Sequence, residues 1–226
     1  VACAQTLTGC KADQVQSEMT PLYRPPGFER TTRGERGRVM INEVNFAGSV
    51  TNGGTHDWDD IFIELQNKSE RPVDLTGWRL YVRGGHSETY RIPESEPVQP
   101  NDYFVIAAKE DGAFGEVADV VMEELEMGRR HIWLELKDRD KRLMGVVGSH
   151  DHRVFAGGWD TVSVRTMERV QLIFLNSGTS SRSWHAYSAN SGFETIADGY
   201  RKHTLGSPGA ANSTDYSGST SSGSFE

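Results

Sequence analysis

Cysteine is scarce in this chain of 226 residues, and its only two cysteines, Cys3 and Cys10, lie within the first ten residues. No Cys-x-x-Cys pair occurs, so the sequence predicts neither a thioredoxin-like redox motif nor a zinc site built on such pairs. Long hydrophobic runs are also missing, and no stretch approaches the roughly 18 apolar residues that a membrane-spanning helix needs. These absences exclude a cysteine-rich scaffold and a helical membrane protein.

An excess of positive charge is lacking too. The chain carries 24 basic and 32 acidic residues, which gives a net charge of −8 and an isoelectric point near 5.4. Proteins that bind nucleic acid generally need a basic face to neutralise phosphates, so this composition argues against a nucleic-acid partner. With 36% hydrophobic residues, the chain has enough apolar material for one sizeable core.

The residue patterns of common enzyme classes are missing as well. No Gly-x-Ser-x-Gly motif precedes a helix, so the nucleophile of an α/β-hydrolase is not present. The pairs Gly53-Gly54 and Gly84-Gly85 indicate turns rather than loops that bind phosphate. We therefore expect no enzymatic activity and no cofactor.

Short segments of β type recur from residue 38 onward, separated by turn residues, and they predict an all-β protein. The predicted strands are 39–45, 61–66, 78–83, 89–92, 103–108, 117–122, 131–136, 143–147, 162–165, 170–175 and 184–187. Segments 61–66 and 131–136 alternate in polarity, which predicts one buried and one wetter face for each. Only 117–128 suggests helix, of one or two turns, so we expect an antiparallel sandwich or barrel.

Composition divides the chain into three parts. Residues 1–37 contain three prolines and a basic run and predict an extended N-terminal arm. Residues 38–213 carry the β pattern and form the expected domain. Residues 214–226 are rich in Ser and Gly and predict a flexible C-terminal tail.

Several motifs of the predicted domain occur in a fixed order. They are Asn42-Glu43, Asp60, Phe62-Ile63-Glu64-Leu65, Asn67, Leu75, Gly77-Trp78 and Pro208-Gly209 with Asn212. In this order the chain resembles the lamin tail domain family, in the form found in secreted bacterial proteins. The resemblance implies an immunoglobulin-like antiparallel β-sandwich over 38–213 and an extracellular setting at the bacterial cell surface. It points to a structural or binding module rather than to an enzyme.

We assign structural roles to five residues of this domain. Trp78 is expected to fill the core, as is Trp133. Glu43 and Glu64 resemble a pair of catalytic carboxylates, but on a sandwich they are better explained as acceptors of hydrogen bonds. Their donors would be backbone amides or an arginine on a neighbouring strand, for which Arg169 is the nearest candidate, because a buried carboxylate without partners costs several kcal/mol.

Three polar or aromatic groups are candidates for ligand binding. His150 and His152 would lie on one side of a strand and could bind a transition metal, although neighbouring glycines favour a loop. Asp57 and Asp59 offer oxygens that would suit Ca²⁺, but the spacing differs from that of a calcium-binding EF-hand loop. Trp58 and Trp159 lie in polar loops, where exposed rings could stack on sugars.

The two cysteines have three possible fates. Leu7-Thr8-Gly9-Cys10 resembles a bacterial lipobox, whose cysteine becomes acylated, and Val1-Ala2-Cys3 resembles the end of another. Alternatively, Cys3 and Cys10 form a disulfide in an oxidising compartment. Cleavage at either lipobox would remove residues that this sequence retains, so we expect the disulfide, with a lipid anchor as the alternative.

The sequence favours one of two functions. The first is a non-enzymatic structural protein of the cell envelope that associates with copies of itself or with other envelope proteins through its arm and sheet edges. Met19, Leu22, Tyr23 and Phe28 would be the arm's anchors on a neighbouring subunit. The alternative is a cell-surface module that binds a glycan or a metal ion.

Overall fold

Strands account for nearly all the regular structure in the computed structural model, which describes residues 38–85, 87–170, 178–188 and 193–214, without the side chains of 150 and 152. The strands are β1 Val39–Asn45, β2 Ser49–Val50, β3 His56–Asp57, β4 Phe62–Asn67, β5 Arg79–Arg83, β6 Glu88–Arg91, β7 Tyr103–Ala107, β8 Val120–Val121, β9 His131–Lys137, β10 Leu143–Arg153, β11 Gly158–Trp159, β12 Val164–Arg165, β13 Met167–Arg169, β14 Trp184–Ala186 and β15 Thr204–Leu205. Short 3₁₀ turns occupy Gly115–Val117, Ser181–Ser183 and Phe193–Thr195.

Two sheets form the body of the domain. One has six strands in the order β14-β13-β1-β4-β7-β8, and the other has four in the order β10-β9-β5-β6. Apart from the parallel pair β7–β8, the pairings in both sheets are antiparallel. The expected all-β, immunoglobulin-like sandwich is therefore confirmed.

The core lies between these two sheets. Ile41 and Leu65 of the larger sheet and Leu80 and Leu134 of the smaller one belong to a single buried apolar cluster. Trp78, immediately before β5, is completely buried in the same cluster. Its position as a core residue follows the expectation from the sequence.

Strand β4 departs from the predicted alternation, because all six residues of Phe62–Asn67 are buried. The face of the larger sheet that points away from the main core is not exposed to solvent at this strand. It carries Phe62, which packs with Ala113, Phe114 and Ile196 in a second apolar cluster. The sequence showed the alternation but not the loop segments that cover the outer face.

The smaller sheet keeps one face in contact with water, as predicted. In β9 buried residues alternate with more exposed ones. Trp133 lies on the outer face of this strand, between the inward-facing Ile132 and Leu134, so its expected place in the core was wrong. Its indole Nε1 instead donates to Glu135 Oε1 at 3.0 Å.

Two other predicted strands need correction, and a third lies almost entirely outside the described residues. The predicted strand 117–122 is a 3₁₀ turn followed by the short β8, and 162–165 contains only β12, Val164–Arg165. The strand preceding the predicted segment 170–175 is Met167–Arg169, and residues 171–177 lie outside the described part. Short strands of two or three residues carry too little periodicity to be located from sequence.

Candidate functional site

An aromatic cluster links the β2–β3 hairpin to strand β11. His56 lies in strand β3, with Trp58 just after it, and Trp159 comes from β11. The His56 ring contacts both indoles, with its centroid 4.1 Å from that of Trp58 and 4.3 Å from that of Trp159. The indoles themselves meet edge to face at 5.3 Å.

The backbone of the β2–β3 hairpin holds this cluster in place. Strands β2 and β3 form a hairpin in which Gly48 has a φ of 80°. A side chain at Gly48 would place its Cβ 2.0 Å from the Asp57 carbonyl oxygen, so only glycine allows this approach. His56 Nε2 is 2.7 Å from the Ala47 carbonyl oxygen and donates to it, which fixes the ring that supports both indoles.

Arg129 completes the cluster. Its guanidinium carbon lies 4.4 Å from the centre of the Trp58 ring, within range of a cation–π interaction. A cleft of about 440 Å³ opens beside it, lined by Trp58, Trp159, Arg129, Arg130, Phe46 and Val154 among others. None of the described residues that line this cleft is acidic.

The two aspartates proposed as calcium ligands differ in their surroundings. Asp57 forms a salt bridge with Lys109 at 2.5 Å. Partial burial raises the pKa of Asp57, but hydrogen bonds from Lys109 and from the Asp59 amide together outweigh it and hold this pKa below its usual value. Asp59 is exposed. Within the described residues, no group of three or more His, Cys, Asp or Glu is placed to hold a metal ion. The side chains of His150 and His152 lie outside the described part, so their proposed metal site stays a prediction.

Asp60, next to these residues, has a structural role. Its Oδ2 accepts hydrogen bonds from Ser49 Oγ at 2.5 Å and from the Ala113 amide at 2.7 Å. Burial raises the pKa of this carboxyl. Asp60 thus ties the β2–β3 hairpin to the loop that covers the outer face of the larger sheet.

A row of three buried carboxylates crosses that outer face. Glu43 of β1 is directly opposite Glu64 of β4 on one side and Glu168 of β13 on the other. All three are completely buried. A β-bulge between Ile41 and Glu43 brings the side chain of Asn42 to the same row as well. Asn42 Nδ2 donates a hydrogen bond to Glu64 Oε1 at 2.7 Å.

The C-terminal segment 206–213 supplies most of the donors to this row. The Ser207 amide donates to Glu43 Oε1 at 2.9 Å, and the Gly209 amide to Glu64 Oε2 at 2.7 Å. The Ser213 amide lies 3.2 Å from both oxygens of Glu168. The expected partners of Glu43 and Glu64 are therefore backbone amides, from residues 145 or more positions away in sequence.

Arg169 lies on the opposite face of its strand from Glu168, since successive side chains alternate in a strand. Its Nη1 donates to the Ile41 carbonyl oxygen at 3.1 Å, and its guanidinium carbon is 5.5 Å from the Trp184 ring centre. Burial lowers its pKa to about 10. The arginine proposed as a partner of Glu43 and Glu64 instead stabilises the other face of the sheet.

Burial and repulsion from neighbouring carboxylates favour the neutral forms of Glu43 and Glu64. Burial, with a further contribution from the neighbouring Glu168 carboxylate, raises the pKa of Glu43 to about 8. The pKa of Glu64 is raised well above its usual value by burial and by Glu43. Such shifts occur in catalytic acids, but these carboxylates are sealed beneath the C-terminal segment, and their arrangement serves the fold.

Sequence reasoning identified Trp58 and Trp159 but missed His56 and Arg129, which complete their cluster. Arg129 lies 71 positions from Trp58 in the chain, and no local pattern connects the two. The signal that was available is the pair Arg129-Arg130 directly before a predicted strand. Cys3, Cys10 and the proposed anchors Met19, Leu22, Tyr23 and Phe28 lie outside the described residues.

Comparison with known proteins gives one match. The family model described as Lamin Tail Domain matches residues 32–151, which include the aromatic residues 56 and 58, Arg129 and two of the three buried glutamates. A search of curated proteins finds no match. Among the described residues, no helix is long and apolar enough to cross a membrane.

Proposed function

The chain belongs to the lamin tail domain family, and from this premise we propose that it is a structural protein of the cell envelope that associates with other copies of itself. The family's sandwich is a non-catalytic fold with structural or protein-interaction roles. Self-association and a place outside the cell are the parts that belong to our proposal. Its central support is an outer strand with unpaired backbone groups.

That strand is β6, Glu88–Arg91, at the end of the four-stranded sheet. Ile92 N–H bonds to the Trp78 carbonyl oxygen at 2.9 Å, which sets the hydrogen-bonding register of β6 on β5. Because paired and unpaired positions alternate in an antiparallel ladder, the backbone groups of Thr89 and Arg91 point away from β5. No other described strand pairs with this side, so β6 offers a template for an added strand.

The proposed occupant is the N-terminal arm of a second copy, an extended segment that adds to the sheet edge. Its apolar residues Leu22, Tyr23 and Phe28 need a surface on which to be buried. Its basic run, Arg30 to Arg36, complements the exposed carboxylates of Glu88, Glu94 and Glu96 on and just after β6. Charge and hydrogen bonding therefore both favour this pairing.

We expect removal of residues 1–37 to leave a folded domain that no longer assembles, because the donor strand is lost while the core is intact. Thr89→Pro in the full chain should weaken assembly in the same way, since it removes an outward N–H and leaves the bonds to β5. Thr89→Val, which keeps the N–H, is the matched control. Light scattering over micromolar concentrations measures the assembled mass, and circular dichroism reports the fold.

Two outcomes contradict this proposal. One is a full-length chain that remains a monomer throughout the concentration range. The other is an assembly of unchanged mass in both the deletion and Thr89→Pro, which would place the contact elsewhere. A specific interface should bury more than roughly 1,000 Å² in total.

The extracellular setting is supported by Cys3 and Cys10, which are close enough in sequence to pair. We expect the protein from its native source to contain a disulfide between them. They are the only two cysteines of the chain, and oxidising compartments favour disulfide formation. Intact-mass spectrometry should show alkylation only after reduction. Two thiols that alkylate without reductant, or a lipid adduct on either cysteine, would refute this expectation.

A further inference from the structure

The cleft beside Trp159 has the features of a ligand site that the association proposed above does not use. Trp159 is 40% exposed, one of two large apolar side chains with such exposure among the described residues. A single exposed side chain needs no explanation. The Trp159 side chain, however, packs against the His56 ring and lies in a cleft beside Arg129 and Arg130, so neighbouring residues determine its position.

The support of Trp159 is rigid. Its ring contacts His56, whose Nε2 is bound to the Ala47 carbonyl, and the edge of Trp58. Its backbone pairs with Val164 in the β11–β12 ladder. Gly157, with a φ of 73°, packs against the Arg165 carbonyl oxygen, where a Cβ would lie at 2.7 Å. The indole is thus presented as a preformed flat platform, which reduces the entropy lost on binding.

Arg129 is similarly oriented in advance. Its guanidinium lies over the Trp58 ring, and stacking of this kind leaves the in-plane N–H groups directed outward. The Arg130 backbone carbonyl accepts a hydrogen bond from the Val154 amide at 3.2 Å, but neither the Arg129 nor the Arg130 guanidinium forms a salt bridge or a hydrogen bond within the described part of the chain. Among its described lining residues, the cleft has two arginines with unpaired guanidinium groups and no carboxylate, although the whole chain has a net charge of −8. A local positive site in an acidic protein fits a ligand with a single negative group better than a polyanion.

From this arrangement we infer that the cleft binds an acidic saccharide, with a uronic acid or related sugar stacked on Trp159 and its carboxylate held by Arg129. The negative face of an indole packs well on the C–H face of a pyranose ring. A planar carboxylate accepts two parallel hydrogen bonds from a guanidinium. The cleft volume of about 440 Å³ lies within the usual range for small-ligand sites.

The test is a titration of the full chain with oligosaccharides that contain galacturonic, glucuronic or sialic acid, followed by calorimetry and tryptophan fluorescence. The methyl ester of each best binder keeps the ring and removes the charge, so it serves as the matched ligand. We expect binding of at least one acidic oligosaccharide, weakening of about tenfold or more on esterification, and weakening with added salt. Equal binding of acid and ester would overturn the role of Arg129.

Variants locate the site. Trp159→Ala should weaken binding about tenfold through loss of the stacking surface, and it should lower the melting temperature only modestly because the ring is partly exposed and lies outside the main core. Arg129→Gln should remove the preference for the acid over its ester. Arg182→Gln, an exposed arginine outside the cleft, is the matched control and should bind as the unmodified chain does.

Three results would overturn the inference. They are no binding of any acidic oligosaccharide at millimolar concentration, unchanged affinity in Trp159→Ala, and binding of a nucleoside monophosphate in place of the sugars. Each of these leaves the assembly experiments unaffected. Failure of this inference is therefore distinguishable from failure of the proposed association.

Discussion

Trp78→Ala should lower the free energy of unfolding by about 3–5 kcal/mol, the usual loss when an aromatic side chain in the core is truncated to alanine. The ring is completely buried in the cluster between the two sheets, and the Gly77 amide just before it bonds to the Ile92 carbonyl oxygen. The cavity would lie at the entry of β5, where loop and sheet meet. Chemical denaturation followed by circular dichroism measures the change.

Two controls separate this effect from a general sensitivity to tryptophan loss. Trp133→Ala removes a half-buried ring from the outer face and should cost much less. Trp78→Phe retains most of the ring and removes an indole N–H that is buried without a hydrogen-bond partner among the described atoms, so it should cost less than about 1.5 kcal/mol. A loss below about 1 kcal/mol in Trp78→Ala would contradict the assigned core.

Stability should fall as the pH rises from about 4.5 to about 8, the reverse of ordinary acid unfolding. The pKa of Glu43 is raised from 4.5 to about 8 by burial and by the Glu168 carboxylate, so the folded protein holds a proton that the unfolded chain releases. The stabilisation from Glu43 is complete below pH 4.5, the pKa of this group in the unfolded chain. It is lost as the pH rises through the folded-state pKa of about 8. The expected loss is on the order of 4 kcal/mol, and Glu64, whose pKa is also raised, adds to it in the same direction.

Glu43→Gln tests this dependence because glutamine has the shape of the neutral acid and cannot ionise. The variant should match the unmodified chain at pH 5 and be more stable than it at pH 9, with a flatter profile between. Glu123→Gln removes an exposed carboxylate and should leave the profile unchanged. A stability that rises with pH in the unmodified chain would show that the carboxylate row is ionised in the fold.

The sequence predicted the parts of this fold that depend on local periodicity. Strand β1 was placed at its observed bounds, and the alternation in β9 correctly assigned Leu134 to the interior. The identification of Trp78 rests on the segment Leu75 to Trp78, which resembles the lamin-tail motif in which a tryptophan fills the core. In each case the signal lies within a few neighbouring residues.

The remainder depends on contacts between distant segments. Glu43 was correctly read as an acceptor of hydrogen bonds, but Ser207 is 164 positions away and could not be named as its donor. The outer face of β4 was expected to be wet, since nothing near residues 62–67 shows that residues such as Phe114 and Ile196 will cover it. For the same reason Trp58 was recognised as a candidate, whereas Arg129 above its ring was not.

Amide hydrogen exchange at β6, measured at increasing protein concentration, tests the proposed association most directly. The outward amides of Thr89 and Arg91 should gain protection as the chain assembles, because an added strand would bond to them. The amides of Glu88 and Tyr90 face β5 and should be protected at every concentration. Assembly without added protection at Thr89 and Arg91 would contradict the account, as would rapid exchange of these two amides at the highest concentration.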